Sequence, residues 1–407
     1  MSNFKNRINT KIYNIKNEVN SDYSGFKILE KFITKYYVII SPTFEDYVSG
    51  YRPLKRKIIV YSLLTIKWLM NIRLAIMVII NKPWIWTLLG DFNYLLGEPK
   101  FILLMYLTFG TIVTITGNIY ILYDIKNKLK VISHFHKLVK NKFKFELKDK
   151  YNLKLCFYSK IMSKYLLKPL TIQTSAFIII MSIILIIKAY FDITMNFSII
   201  NLSITFILYI FWATHCFAIG WANFVLFNIT TLYLKYHFNQ INDEMREIIS
   251  AGISSKFING IKRHHYYCRL THEFNEFFKY HLLLWYFGGT IGVNLLLNIG
   301  FHSKADVIYR SIFIILGIII GIALYMHNYS TSTVSSSAHK LRVILYSILC
   351  KNKLKVMHKL KICSYIEKLS GRKIAFYCYD LFPFTNYGFM EFIAFVSASY
   401  LLMNSFF

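Results

Sequence analysis

Long apolar runs alternate along this chain with polar stretches rich in lysine. Seven runs reach the roughly 20 residues that a helix needs to cross a bilayer: 58–80, 101–123, 165–188, 199–221, 280–301, 308–328 and 383–407. They lack the period-two alternation of a barrel strand, so the spans are expected to be helical. The first carries Lys67 and Arg73 inside it, and charges at such depth face protein or water, not lipid. The fourth does not stop at membrane length: Ala222 to Leu234 continue its apolar character. That continuation predicts a helix projecting beyond the bilayer.

The direction of the spans follows from the positions of Lys and Arg, which favour the cytoplasmic side. The stretch 1–57 has 11 and loop 124–164 has 12, against two in loop 81–100 and none in loop 189–198. Segments 229–279 and 329–382 have seven and ten, against one in loop 302–307 and none after the last span. The alternation has no exception. The expected fold is therefore an all-α polytopic membrane protein with seven transmembrane helices, a cytoplasmic N-terminus and an extracellular C-terminus. Trp84 and Trp86 follow the first span, where amphipathic rings favour the headgroup level. The chain divides into a cytoplasmic segment 1–57, six spans with cytoplasmic extensions over 58–328, a cytoplasmic segment 329–382 and a last span 383–407.

Composition changes this picture little. Of the 407 residues 55% are hydrophobic, and the formal net charge is +28. On a soluble chain that charge would suggest nucleic acid, but here it lies between apolar segments and reads as topology, with the lipid bilayer as partner. The basic N-terminal stretch has no apolar core followed by a small-residue cleavage site, so no signal peptide is expected. Cys156, Cys216, Cys268, Cys350, Cys363 and Cys378 all avoid the segments placed outside, so free thiols are expected.

Few motifs carry chemistry. Gly288 with Gly292 and Gly317 with Gly321 have the i, i+4 spacing that lets membrane helices approach closely. His264, His265, Cys268 and His272 have partly metal-like spacing, but no second ligand pair stands at usual distance. An ordinary cytoplasmic helix surface is expected there, with no metal and no cofactor. Tyr329 to Ser337 (YSTSTVSSS) offers hydroxyls for phosphorylation, and is read as a polar helix-to-loop transition. The sequons at Asn196 and Asn201 lie too close to the membrane for easy glycosylation. Phosphate-cradling glycine loops, a nucleophile elbow and kinase signatures are missing from the sequence, so an enzyme is not expected.

The last span, FPFTNYGFMEFIAFVSASYLLMNSFF from Phe382, holds Glu391, Ser397, Ser399 and Asn404 among apolar residues. An ionisable side chain inside a span is a functional candidate by default. Two readings stand for Glu391: it lines a water-filled path favouring cations, or it pairs within the bundle with Lys67 or Arg73. Polar residues on this helix predict one face turned to water or a partner subunit.

At these residues the chain resembles the arthropod gustatory receptors of the gustatory–odorant receptor superfamily. Their best signature is Thr-Tyr, five mostly apolar residues, then Gln-Phe. Here it reads Ser399-Tyr400, Leu401 to Ser405, then Phe406-Phe407. YLKYHFNQINDEMREI after the fourth span is similar to the family's aromatic followed by an Ile-Asn pair (Phe238, Ile241, Asn242), and HHYYCRLTHEFNEFFKYHLLLW carries Asn275 where the family often has Asn. Leu369 to Pro383 resembles its short helix feeding the last span. The resemblance implies a ligand-gated, non-selective cation channel in the cell membrane, opened by a small-molecule tastant. It also implies a homo- or hetero-tetramer whose seventh helices line the pore and whose cytoplasmic parts of helices four to seven form a shared anchor. Each subunit would keep its own outward-open pocket. Carried over, Ser399, Tyr400, Asn404, Phe406 and Phe407 lie on the pore helix near its outer gate, and Glu391, read from the span itself, joins them as a pore candidate. Phe406 in place of Gln makes the constriction more hydrophobic, and such constrictions gate by dewetting.

Two other classes compete. A G-protein-coupled receptor would place the 11 basic residues of 1–57 outside, against the charge rule. A transporter should show an internal repeat with discontinuous helices, and none is visible. Tags at the two termini test the topology directly. In intact cells the C-terminal tag should stain and the N-terminal tag should not. The reverse pattern overturns the charge argument.

Overall fold

The structure, a computed structural model, describes residues 24–36, 38–80, 82, 99–140, 147–167, 199–251, 257–303, 307–351, 355–371, 374–379 and 381–404. Trp84, Trp86, Asn196, Phe406, Phe407 and the predicted third span beyond residue 167 lie outside these. The described chain is helical but for one small ribbon. Its elements are α1 (Ser24–Lys35), α2 (Phe44–Ser49), α3 (Leu54–Ile80), α4 (Pro99–Ile125), α5 (Lys130–Lys140) and α6 (Asp149–Lys160), which runs on as a π-helical turn Ile161–Leu167. They continue with α7 (Ile199–Ala251), α8 (Phe257–Leu283), a π-helical turn Leu284–Gly288, α9 (Gly289–His302), α10 (Val307–Lys351) and α11 (Val356–Ser370). A ribbon of β1 (Tyr377–Cys378) antiparallel to β2 (Phe382–Pro383) then leads into α12 (Asn386–Asn404).

Among the described residues, five stretches are long and apolar enough to cross a membrane: Leu54–Ile80, Leu103–Ile125, Ile210–Ile248, Phe257–His302 and Arg310–Cys350. Two helices far exceed that need. At about 1.5 Å per residue the 53 residues of α7 span about 80 Å, against a hydrocarbon core of about 30 Å. The projection expected from Ala222 to Leu234 is thus a continuation of one helix. Its buried side chains Phe227, Phe238 and Ile241 join those of α8 and α10 in one extended core. Close packing at the first glycine pair is also present. A Cβ on Gly288 would meet Ile112 Cδ1 at 2.5 Å, and one on Gly292 would overlap the Phe109 ring. In the second pair a Cβ on Gly317 would lie 2.9 Å from Leu297, whereas Gly321 has ordinary room.

At the basic end the chain is tied by a buried carboxylate. Asp124, at the end of α4, is 0% exposed. It accepts hydrogen bonds from the Ile40 and Ser41 amides (2.6 and 3.1 Å), the Ser41 hydroxyl (3.1 Å) and Arg52 Nε (3.0 Å). Arg56 donates to the carbonyls of Ile40 (2.9 Å) and Thr34 (2.6 Å). The segment before α3, the start of α3 and the end of α4 are therefore one knot. Short α2 feeds it: Thr43 caps its first turn, accepting from the Asp46 amide at 3.0 Å, and Gly50 ends it at φ 77°, a left-handed position that suits glycine.

Four expectations are corrected. YSTSTVSSS is not a helix-to-loop transition but mid-helix in α10. Its hydroxyls bond back to carbonyls one turn earlier, as Thr331 does to His327 (3.0 Å), and packing against α7 buries Thr331, Ser332, Ser335 and Ser337. His264 is not on a surface: it is 0% exposed and bridges the Tyr365 hydroxyl (2.9 Å) and the Ala338 carbonyl (3.0 Å), while His265 and His272 face outward. The stretch Leu369–Pro383 is not a short helix. It leaves α11 at Gly371 and forms the ribbon, because the Tyr377 amide is taken by the Asn275 side chain (2.7 Å) and Phe384 N by the Phe376 carbonyl (2.8 Å). The last helix accordingly starts at Asn386 instead of 383, with the Thr385 hydroxyl accepting from Gly388 N at 3.1 Å. All six cysteines are free thiols.

Replacing Asp124 with Asn removes a buried charge and leaves Arg52 without its partner, which costs about 3–5 kcal/mol. Thermal unfolding of the detergent-solubilised variant should show a loss of that order. A loss below about 1 kcal/mol would mean the knot contributes little.

Candidate functional site

The last helix carries most of the sequence-derived candidates, and its two faces differ. One packs on α9 and α10. There Phe392 is 4% exposed, and Phe395, Val396, Ser399 and Tyr400 are half-buried. The other presents Tyr387, Met390, Glu391, Ala394, Ser397, Ala398, Leu401 and Leu402, all exposed. Leu401 is 68% exposed on an otherwise apolar helix, so this face lacks cover within one chain.

The buried face is fixed by Tyr286, which the π-helical turn between α8 and α9 turns toward the last helix. Its ring lies 5.1 Å from Phe392, 5.6 Å from Phe395 and 5.0 Å from Phe382, stacked nearly parallel on Phe395 at 12°. Aromatic pairs at such spacing add about 0.5–1.5 kcal/mol each beyond area burial. Further along, Asn294 Nδ2 on α9 donates to Ser399 Oγ at 2.7 Å, and Ser399 donates to the Val396 carbonyl at 3.0 Å. Ser399 thus faces α9, whereas Glu391 sits on the open face. Asn404 ends the helix.

Glu391 is separated from Lys67. That lysine is 2% exposed between α3, α4 and α7, its Nζ 3.0 Å from where a Cβ on Gly117 would stand and close to His215 and Cys216. Among the described residues Glu391 makes no ion pair with Lys67, so that pairing is not formed. Sequence reading missed Tyr286 and Asn294. Asn294 is one of two amides, with Asn298, in an apolar run and could have been flagged, whereas nothing distinguished Tyr286 from neighbouring aromatics.

The family-like motifs in the last 170 residues have structural work. Asn242 Nδ2 donates to the Ser337 carbonyl (2.8 Å), joining α7 to α10, and Asn275 holds the ribbon. Tyr120 donates to Asn223 Oδ1 at 2.5 Å, and the Asn223 amide contacts the His281 ring, joining α4, α7 and α8. The His327 ring stacks on Phe227 at 3.9 Å beside them.

A cavity of about 470 Å³ lies at the basic end, between α2, α5 and α8. Lys130, His134, Lys137, Arg269, Glu273 and Phe274 are among its lining residues. Burial, and next the Lys137 charge, hold the His134 imidazole down at about 4. It is therefore neutral near pH 7 and shares a contact with the Tyr233 hydroxyl at 3.0 Å.

These features define a helical fold with membrane-length helices, and comparison with known proteins gives that fold a reference. No family model matches the chain, and no curated protein matches it in sequence. Its fold is similar to the insect olfactory receptor OR5 from Machilis hrabei in complex with eugenol, with a TM-score of 0.62 and 10% identity over 86% of this chain and 88% of that one. A second structure of that receptor matches with a TM-score of 0.62 and 8% identity over 92% of this chain and 98% of that one. At such identity the likeness is one of fold. It bears out the all-helical fold expected from the sequence.

The Asn294–Ser399 contact is measurable in a double-mutant cycle with Asn294→Ala and Ser399→Ala. A coupling of about 0.6–1.7 kcal/mol in folding stability is expected for a bond of this kind within a membrane bundle. Additive effects would mean that Ser399 does not bond α9.

Proposed function

We propose that the chain is a subunit of a chemosensory, ligand-gated, non-selective cation channel in the cell membrane, opened by a small molecule of the tastant class. The observation that carries this reading is the uncovered face of α12, an apolar helix that exposes Glu391, Ala394, Ser397 and Leu401 while its opposite face is anchored. Lipid suits Leu401 but not Glu391 or Ser397, so such a face favours water and other copies of the helix, and four subunits around an axis supply both. Glu391 then contributes a ring of carboxylates, which favours cations. Small side chains at Ala394, Ser397 and Ala398 leave room for a water path. The fold shared with an olfactory receptor supports the same assignment, and so does the charge pattern that places the N-terminus inside.

Gating follows from differential affinity. A ligand that binds the open arrangement more tightly shifts the population toward it. The route to the pore helix runs through α9, by way of Tyr286 and Asn294. Asn404, Phe406 and Phe407 form the gate region, with Phe406 as the hydrophobic constriction, while Ser399 and Tyr400 hold that end of the helix from its packed face.

Patch-clamp recording during ligand screens tests this reading. Glu391→Gln should reduce the preference for cations over anions, and Phe406→Gln should change open probability at fixed ligand. Currents unchanged in both variants would remove these positions from the pore.

A further inference from the structure

The cleft at the basic end takes no part in the proposed pore, yet it has the make-up of a binding site. Lys130 and Lys137 come from α5 and Arg269 from α8, against one carboxylate, Glu273. Glu273 lies between the facing helices, its Oε2 3.7 Å from Lys130 Nζ and its Oε1 3.9 Å from Arg269 Nε. Both separations are longer than hydrogen bonds, and the Lys130 and Arg269 side chains are 60% and 67% exposed. Loose, solvated pairs of this kind contribute little and yield to a stronger anion. With His134 neutral, the site carries three cations and one anion.

Shape and position narrow the ligand. A volume of about 470 Å³ suits a small ring with substituents and is small for a folded segment. Leu270 and Phe274 give it an apolar part, and Asn127 and Ser133 line it with polar groups. Val48, a lining residue that is 48% exposed, adjoins Tyr51 (57%), Leu54 (72%) and Ile58 (58%), which carry exposed apolar surface into the first membrane-length helix. In a membrane-spanning chain lipid covers that surface, which brings headgroups to the mouth of the cleft.

We infer that this cleft binds the phosphorylated polyol headgroup of a membrane lipid. Lys130, Lys137 and Arg269 contact phosphate, and Glu273 is the internal counter-ion that the headgroup displaces. Arg269, whose guanidinium also lies 5.9 Å from the Tyr266 ring, suits bidentate phosphate contact. The inference rests on the cleft and on membrane location, and a binding measurement tests it whether or not the protein conducts.

The full chain in phosphatidylcholine nanodiscs, titrated with a fluorescent phosphatidylinositol bisphosphate, gives the readout. Lys130→Gln and Arg269→Gln should each weaken binding about fivefold, the ratio for one cation at a headgroup. Glu273→Gln should strengthen it, a gain that a misfolded variant does not give. Lys359→Gln, exposed on α11, should leave it unchanged. An equal loss in Lys359→Gln, or no gain in Glu273→Gln, overturns the site in favour of general attraction to a basic surface. Competition by free inositol trisphosphate as strong as by the lipid overturns the membrane source and assigns the cleft to a soluble phosphate.

Discussion

Asp124 is the constraint on which the basic end of the molecule depends. A carboxylate with no solvent exposure is costly unless every lone pair is met, and here two amides, a hydroxyl and a guanidinium meet it. Those donors come from the segment before α3 and from Arg52, just ahead of that helix. The first two membrane-length helices are therefore held as a hairpin whose ends cannot slide without stranding a charge. Arg56 extends the knot to α1 through the Thr34 carbonyl.

The same knot builds the neighbouring cleft. Arg52 Nη2 donates to Asn127 Oδ1 at 2.5 Å, and Asn127 takes φ 53° in the turn between α4 and α5. Leu129 N, in that turn, donates to the Tyr47 hydroxyl at 2.8 Å. Tyr47 and Asn127 both line the cleft, so the position of α5 against α8 is set by the buried carboxylate a few residues away. A phosphorylated lipid in the cleft would thus touch the turn that the knot anchors.

At the other functional element, anchorage and openness are divided between two faces of one helix. Aromatic rings around Tyr286 and the Asn294–Ser399 bond hold α12 to α9, while the face of Glu391 stays free. The π-helical turn that aims Tyr286 is the kind of local irregularity that recurs at functional sites. It joins a long basic-end helix to the short α9, and through Tyr286 it places the end of α8 in ring contact with α12.

The amino-acid pattern alone determined the helical class and the continuation of the fourth run, because burial in lipid needs long apolar stretches with internal hydrogen bonds and charge is excluded from them. It also marked Glu391 as a polar residue in an apolar helix. Tertiary structure decided the rest. Whether YSTSTVSSS bends or stays helical depends on α7 packing beside it and not on its hydroxyls. Whether Leu369–Pro383 coils or pairs depends on Asn275, about a hundred residues earlier, taking the Tyr377 amide. The partners of Asp124 lie 72 to 84 positions away, a separation at which no local periodicity carries information. Spans are one-dimensional features set by solvent, whereas knots, ribbons and faces are contacts between distant residues, and only folding brings those together.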